Sequence, residues 1–231
     1  MKVLNLKEIE GNKYHITFNN LKIFQNTMTL FFGEYLAGKT GSCLLLTDNA
    51  VNNGLKVLYI DADRKIEQSA IYNFVHKNPK WINNVTVIDI KNHKELETTI
   101  NKIPDYIKDD NIDVVIVDSI YTPFVNLDHR VSCRKIRYLA SKLKEFADNK
   151  IVIITTHGSK QYDSLNKIKS EIAKGGDTLQ YLSNHRINIR KGKKGMRIMS
   201  YNERCELSIT FDYQGFLKFD TIFEGIVNGG N

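Results

Sequence analysis

Met28-Thr29-Leu30-Phe31-Phe32-Gly33-Glu34-Tyr35-Leu36-Ala37-Gly38-Lys39-Thr40-Gly41 is the stretch from which the rest of the chain can be read. Met28 to Phe32 is a short apolar run that stops at a glycine, the pattern of a buried strand. Thr40 to Val51 carries Leu44, Leu45 and Leu46 among small residues, the pattern of a helix packed on a sheet. Between them, Gly33, Glu34, Tyr35, Leu36, Ala37, Gly38, Lys39 and Thr40 spell G-x-x-x-x-G-K-[ST]. Each part of that loop has a physical task. Gly33 and Gly38 permit a tight turn and close approach of backbone to phosphate. Successive amides and the helix N-terminus then attract the anion. Lys39 is expected to reach the β- and γ-phosphates, and the Thr40 hydroxyl to ligate Mg²⁺, with Gly41 completing the binding set. A strand directly before and a helix directly after are the context this motif requires.

Working outward, Lys56 to Asp61, Val85 to Ile90, Asp113 to Asp118 and Lys150 to Thr155 are further apolar strands. Segments of helical spacing separate them: Lys65 to His76, His93 to Ile107 and Ser132 to Ala147. Aliphatic strands alternating with helices imply a parallel sheet covered on both faces. After Thr156 the pattern changes. Gly158 to Lys174 is polar and weakly periodic, which predicts a loop. His185 to Arg190, Met196 to Tyr201, Glu206 to Phe211 and Phe216 to Phe219 alternate at period two, which predicts antiparallel strands extending the sheet. No linker or repeat interrupts the chain, so one α/β domain over residues 1–231 is expected, with 1–27 as an N-terminal extension.

Several polar residues fall at strand ends, where ligands of parallel sheets sit. Asp118 closes the run Val114 to Val117, the place of an acid that holds Mg²⁺ through water, although helix caps and turns also ask for Asp there. Asp61 and Asp63 follow the second strand. One could polarise the water that attacks the γ-phosphate, or the pair could cap the helix from Lys65. Thr156 and His157 end the fifth strand, where His157 could sense the γ-phosphate or be simply structural.

Net charge is +7, and its distribution points to a polyanion. Arg186, Arg190, Lys191, Lys193, Lys194 and Arg197 occur between residues 186 and 197 without an acid. Lys160, Lys167, Lys169 and Lys174 lie in the 158–174 segment with Tyr162 available for stacking, a mixture suited to tracking single-stranded DNA. Solvated turns, or a lysine reaching the phosphate of a neighbouring subunit, would use the same residues. Arg134, Lys135, Arg137, Lys142 and Lys144 read as the wet side of an amphipathic helix. Cys43, Cys133 and Cys205 are far apart and odd in number, supporting neither a disulfide framework nor a zinc site. No run approaches the length of a membrane span and no signal-peptide core is visible, so a cytoplasmic location is expected.

Taken in order, these motifs resemble the RecA/RadA recombinase superfamily, particularly the short archaeal RadA paralogs of RadB type. Val57-Leu58-Tyr59-Ile60-Asp61-Ala62-Asp63 is similar to the family strand with the catalytic carboxylate, and Ile112 to Ser119 to its Walker B strand. Gly175-Gly176 resembles the glycine pair ending the second DNA-binding loop, and Arg190 to Arg197 the basic hairpin. The resemblance implies a three-layer RecA-type P-loop fold, ATP and Mg²⁺ as cofactors, and catalytic roles for Lys39, Asp63, Asp118 and His157. It also implies DNA contacts by the basic segments, a role in repair and recombination beside the main recombinase, and a capacity to form homo-oligomers. Asp63 stands where the family has Glu, which implies slow hydrolysis; Thr156 and His157 replace the usual amides. Two alternatives stay open. Asp63 suits a non-hydrolysing, nucleotide-dependent regulatory adaptor, and Thr155 to Lys160 is similar to the HH-x-x-K segment of RepA-like hexameric ATPases.

Overall fold

A computed structural model describes residues 14–18, 21–64, 66, 68–162, 168–191, 196–201 and 205–210. The chain enters through an antiparallel hairpin, β1 (His15–Phe18) and β2 (Leu21–Phe24), within the expected extension. β3 (Thr27–Gly33) leads into α1 (Lys39–Asn52), and β4 (Val57–Asp61) into α2 (Gln68–Lys77) and the single turn α3 (Trp81–Asn84). β5 (Val85–Asp89), α4 (His93–Asn101), α5 (Ile103–Asp110), β6 (Val114–Asp118) and α6 (His129–Phe146) follow. The predicted helix over 93–107 is two helices that break at Lys102, where Pro104 enters the first turn of α5. α6 begins earlier than predicted because Asp128 caps it, its carboxylate accepting the Arg130 and Val131 amides at 2.9 and 3.2 Å.

The remaining elements are β7 (Ile151–Tyr162), β8 (Ile168–Ala173), α7 (Asp177–Leu182), β9 (His185–Lys191), β10 (Met196–Tyr201) and β11 (Cys205–Thr210). The sheet order is β11-β10-β9-β3-β7-β6-β4-β5, and β8 pairs with β7 off this path. Two sequence expectations are corrected. Within the segment 158–174, residues 158–162 and 168–173 are strand and not loop: β7 continues past its parallel partners and pairs antiparallel with β8, Gly158 opposite Ala173 and Lys160 opposite Glu171. Its many polar residues hide the strand period. Nor is β9 antiparallel. It runs parallel to β3, because α7 carries the chain back before β9 starts; β10 then pairs antiparallel with β9, and β11 antiparallel with β10. Phe216 to Phe219 lies outside the described residues.

The interior strands read as continuous aliphatic runs because both faces are covered. Leu58, Ile60, Val115, Val117, Val152 and Ile154 pack with α4, α5 and α6 on one side. Their alternates Val57, Tyr59, Val114, Ile116, Ile151 and Ile153 pack with α1, Trp81 and the β1–β2 hairpin on the other. Each such side chain contributes about 1.5–3 kcal/mol on burial, so these two layers hold the strand ends in fixed register. No helix among the described residues is long and apolar enough to cross a membrane.

Candidate nucleotide-binding site

At the end of β3 the backbone conformation dictates the sequence. Gly33 has φ 145°, and a Cβ there would stand 2.0 Å from the Ile189 carbonyl oxygen of β9, so no other residue fits. Gly38 has φ 103° and forms the N-cap of α1, whose first turn carries no acidic side chain to compete for the helix N-terminus. Glu34 to Ala37 close a turn (Ala37 N to Glu34 O, 3.3 Å) that leaves Tyr35 and Leu36 exposed. The Lys39 ammonium is buried and donates to the Gly33 and Glu34 carbonyls at 3.0 and 2.7 Å, which places it inside the curve of the loop.

Asp118 lies two strands away from the loop, across β7, yet reaches it. Tyr59 donates to its Oδ2 at 3.0 Å, Thr155 donates to Oδ1, and the Thr40 hydroxyl also bonds the carboxylate. Burial raises the Asp118 pKa; these hydroxyls oppose that, and the charge of Asp63 adds to it. Three hydroxyls thus gather on the buried Asp118 carboxylate. A cation bound beside Thr40 would offset the cost. Mg²⁺ commonly binds through one or two carboxylates, waters and substrate phosphates rather than a full protein cage. Thr40 with a water-linked Asp118 fits that description, and among the described residues no cluster of three His, Cys, Asp or Glu offers another metal site. Beneath α1 the free, buried Cys43 bonds Tyr59, and burial pushes its thiol well up, which keeps it neutral.

The two aspartates after β4 have different settings. Asp61 is buried and accepts the Ile66 amide at 3.0 Å, closing the turn before α2 as a capping residue would. Asp63 is half-buried, its amide bonded to the Asp118 carbonyl at 2.9 Å. Its Oδ1 accepts from Thr122 at 2.7 Å, and Thr122 Oγ1 lies 3.4 Å from His157 Nε2. Thr156 does not enter this group: it is buried and donates to the Lys174 carbonyl at 2.8 Å, tying β7 to the end of β8.

A cavity of about 330 Å³ opens beside the loop, lined by Tyr35, Tyr121, Thr122, Val125, His157, Gly158 and Lys174. The His157 ring lies 6.2 Å from that of Tyr35 and 6.4 Å, edge-on, from that of Tyr121, while Lys174 Nζ stands 5.5 Å from the Tyr121 centroid. Lys174, just after β8, thus lines the cavity. Lys160, Tyr162 and Lys169 lie on the strands of the β7–β8 hairpin, whereas Lys167, Lys193 and Lys194 lie outside the described residues. Gly175 and Gly176, both at positive φ, turn the chain into α7. A Cβ on Gly175 would stand 2.6 Å from Leu179 and 3.0 Å from Ile136, so the first glycine serves close packing on α6.

Sequence reasoning did not single out Tyr59, Thr122 or Tyr121. For Tyr59 a signal existed: one phenol within an otherwise aliphatic strand needs a partner when buried. For the other two, no local pattern marks a site.

A family model described as Rad51 matches residues 19–210. The DNA repair and recombination protein RadB of Methanosphaera stadtmanae is 26% identical over 211 residues, covering 89% of this chain and 89% of that protein. RadB of Methanococcoides burtonii is 27% identical over 200 residues, covering 80% and 87%. RadB of Methanobrevibacter smithii is 27% identical over 175 residues, covering 72% and 74%. Because the family model spans the phosphate loop, the Asp118 strand and the hairpin beside them, the chain belongs to the Rad51 family.

Proposed function

We propose that this chain is an ATP- and Mg²⁺-binding recombinase paralog of the cytoplasm that hydrolyses ATP slowly and assists DNA repair by homologous recombination, binding single-stranded DNA or the main recombinase. The observation that carries this reading is the buried Asp118 carboxylate bonded to the Thr40 hydroxyl, next in sequence to a Lys39 held by the loop carbonyls. The relatives named RadB supply the biological setting. Bound Mg²⁺ would neutralise phosphate charge beside Thr40 and Asp118. The loop amides and Lys39 would hold the β- and γ-phosphates, Asp63 would accept a hydrogen bond from the attacking water, and His157, which lines the cavity beside the loop, would sense the γ-phosphate. With one methylene fewer than Glu, Asp63 stands farther from that water, which lowers the rate. Lys160 and Lys169 on the β7–β8 hairpin contact the single-stranded DNA, giving affinity that falls steeply with salt.

The test is phosphate release with and without single-stranded DNA for the wild type, Lys39→Ala and Asp63→Glu. Wild type should exceed the Lys39→Ala blank, and Asp63→Glu should exceed wild type by about 10-fold or more. Release no greater than the blank, with nucleotide still bound, would favour a non-hydrolysing adaptor, a reading that the already engaged Asp63 carboxylate also suits.

A further inference from the structure

Thr122 begins a short 3-10 turn, Thr122–Phe124, yet its hydroxyl does not serve that turn. The N-cap position is Tyr121, with no side-chain cap. Instead Thr122 Oγ1 donates across 59 residues of sequence to Asp63 Oδ1 at 2.7 Å. A hydroxyl has one proton. With that proton on the carboxylate bond, the 3.4 Å contact to His157 can be made only with Oγ1 as acceptor, which puts a hydrogen on His157 Nε2. The three groups then form one directed chain, from imidazole N–H to hydroxyl to carboxylate.

Thr122 is also well supported. Its β-branched side chain is stiff at χ1, Pro123 follows it, and Phe124 is fully buried, with its carbonyl accepting Ser132 Oγ at 3.0 Å. At the other end, His157 pairs in register with Gly33 of the phosphate loop, and its carbonyl accepts the Lys174 amide at 2.7 Å at the root of the β7–β8 hairpin. We propose that Thr122 is the positioning residue of the site: it fixes the Asp63 carboxylate toward the attacking water and couples it to His157 at the hairpin root. This rests on the reading of Asp63 as the water-orienting carboxylate. A shorter side chain makes the support more important, since a displacement of about 1 Å can cost about 100-fold in rate.

The experiment compares Thr122→Val, Thr122→Ala, Thr122→Ser and Asp63→Asn in the full chain. In the nucleotide-free protein, long-range ¹H–¹⁵N spectra should show a protonated His157 Nε2 in wild type and Thr122→Ser, and an altered Nε2 resonance in Thr122→Val and Thr122→Ala. With ATP and Mg²⁺, Thr122→Val and Thr122→Ala should lower kcat by about 10- to 100-fold with KM changed by less than about 2-fold, while Thr122→Ser stays within about 3-fold of wild type. If Asp63→Asn abolishes turnover but Thr122→Val matches wild type in both spectrum and kcat, the assignment of Thr122 is overturned and that of Asp63 stands. If Asp63→Asn turns over as wild type does, the water-orienting reading fails and the assignment of Thr122 fails with it.

Discussion

The strand β6 carries an aspartate at each end, Asp113 just before it and Asp118 as its last residue. At the amino end, Asp113 is joined to the framework. Its Oδ2 accepts the Lys56 amide at 3.1 Å, its Oδ1 lies 3.7 Å from Lys150 Nζ, and its carbonyl accepts from Tyr14 Oη at 3.0 Å and from the Ile151 amide at 3.1 Å. These contacts lock the starts of β4, β6 and β7 together, and the charge has a cation beside it. At the carboxyl end, Asp118 is fully buried and, among the described residues, its carboxylate is bonded by the hydroxyls of Tyr59, Thr155 and Thr40; burial prevails and its pKa rises. One residue type on one strand thus serves two ends. The lower carboxylate is neutralised by the fold itself, and the upper one is left to be neutralised by what binds.

The upper end depends on backbone geometry first, and the largest effect is expected there. Gly33→Ala would force a Cβ to 2.0 Å from the Ile189 carbonyl at a φ of 145°. We expect a loss of about 3 kcal/mol or more, a fall in Tm of about 6–12 °C for a chain of this size. Thermal unfolding checks it; a variant melting with wild type would mean that β9 does not confine the loop.

The next effect separates the two aspartates. In Asp118→Asn the charge that a cation would meet is gone, so the stabilisation conferred by ATP with Mg²⁺ should vanish. At ligand near 100 times Kd that shift is about 2.7 kcal/mol in wild type. The nucleotide-free variant should nevertheless melt no lower than wild type, because a buried, cation-free carboxylate has been removed. An Asp118→Asn protein that kept the full ATP shift would break the contrast.

What the sequence reveals follows the same division. The phosphate loop is legible because its requirements are contiguous: positive φ at Gly33 and Gly38 demands glycine, and both glycines lie within one motif. Asp118 is legible because an aliphatic run precedes it. Thr122 is not, since its meaning comes from Asp63 on another strand connection, and a threonine in a turn looks like any other. The sequence of the β7–β8 hairpin has the pattern of a loop for a related reason. Hydrophobic period reports burial, and strands that project from the layered core need not show it. The direction of β9 is likewise absent from its alternation and is set by α7 before it.

The smallest effect sharpens the comparison from below. Asp113→Asn removes the charge facing Lys150 and keeps an oxygen for the Lys56 amide, so the loss is that of one partly exposed ion pair. Such pairs contribute about 1 kcal/mol or less, so Tm should fall by about 2–4 °C at most. The shift produced by ATP with Mg²⁺ should remain at its wild-type size, because Asp113 stands at the opposite end of the strand from Thr40. The expected pattern is crossed: Asp113→Asn lowers the baseline and preserves the ligand shift, and Asp118→Asn preserves the baseline and removes the shift. Melting curves of both variants with and without nucleotide measure all four quantities. Loss of the ligand shift in Asp113→Asn would mean that the two ends communicate through β6, and that the lower contacts set the geometry of the upper site as well as holding the strands together.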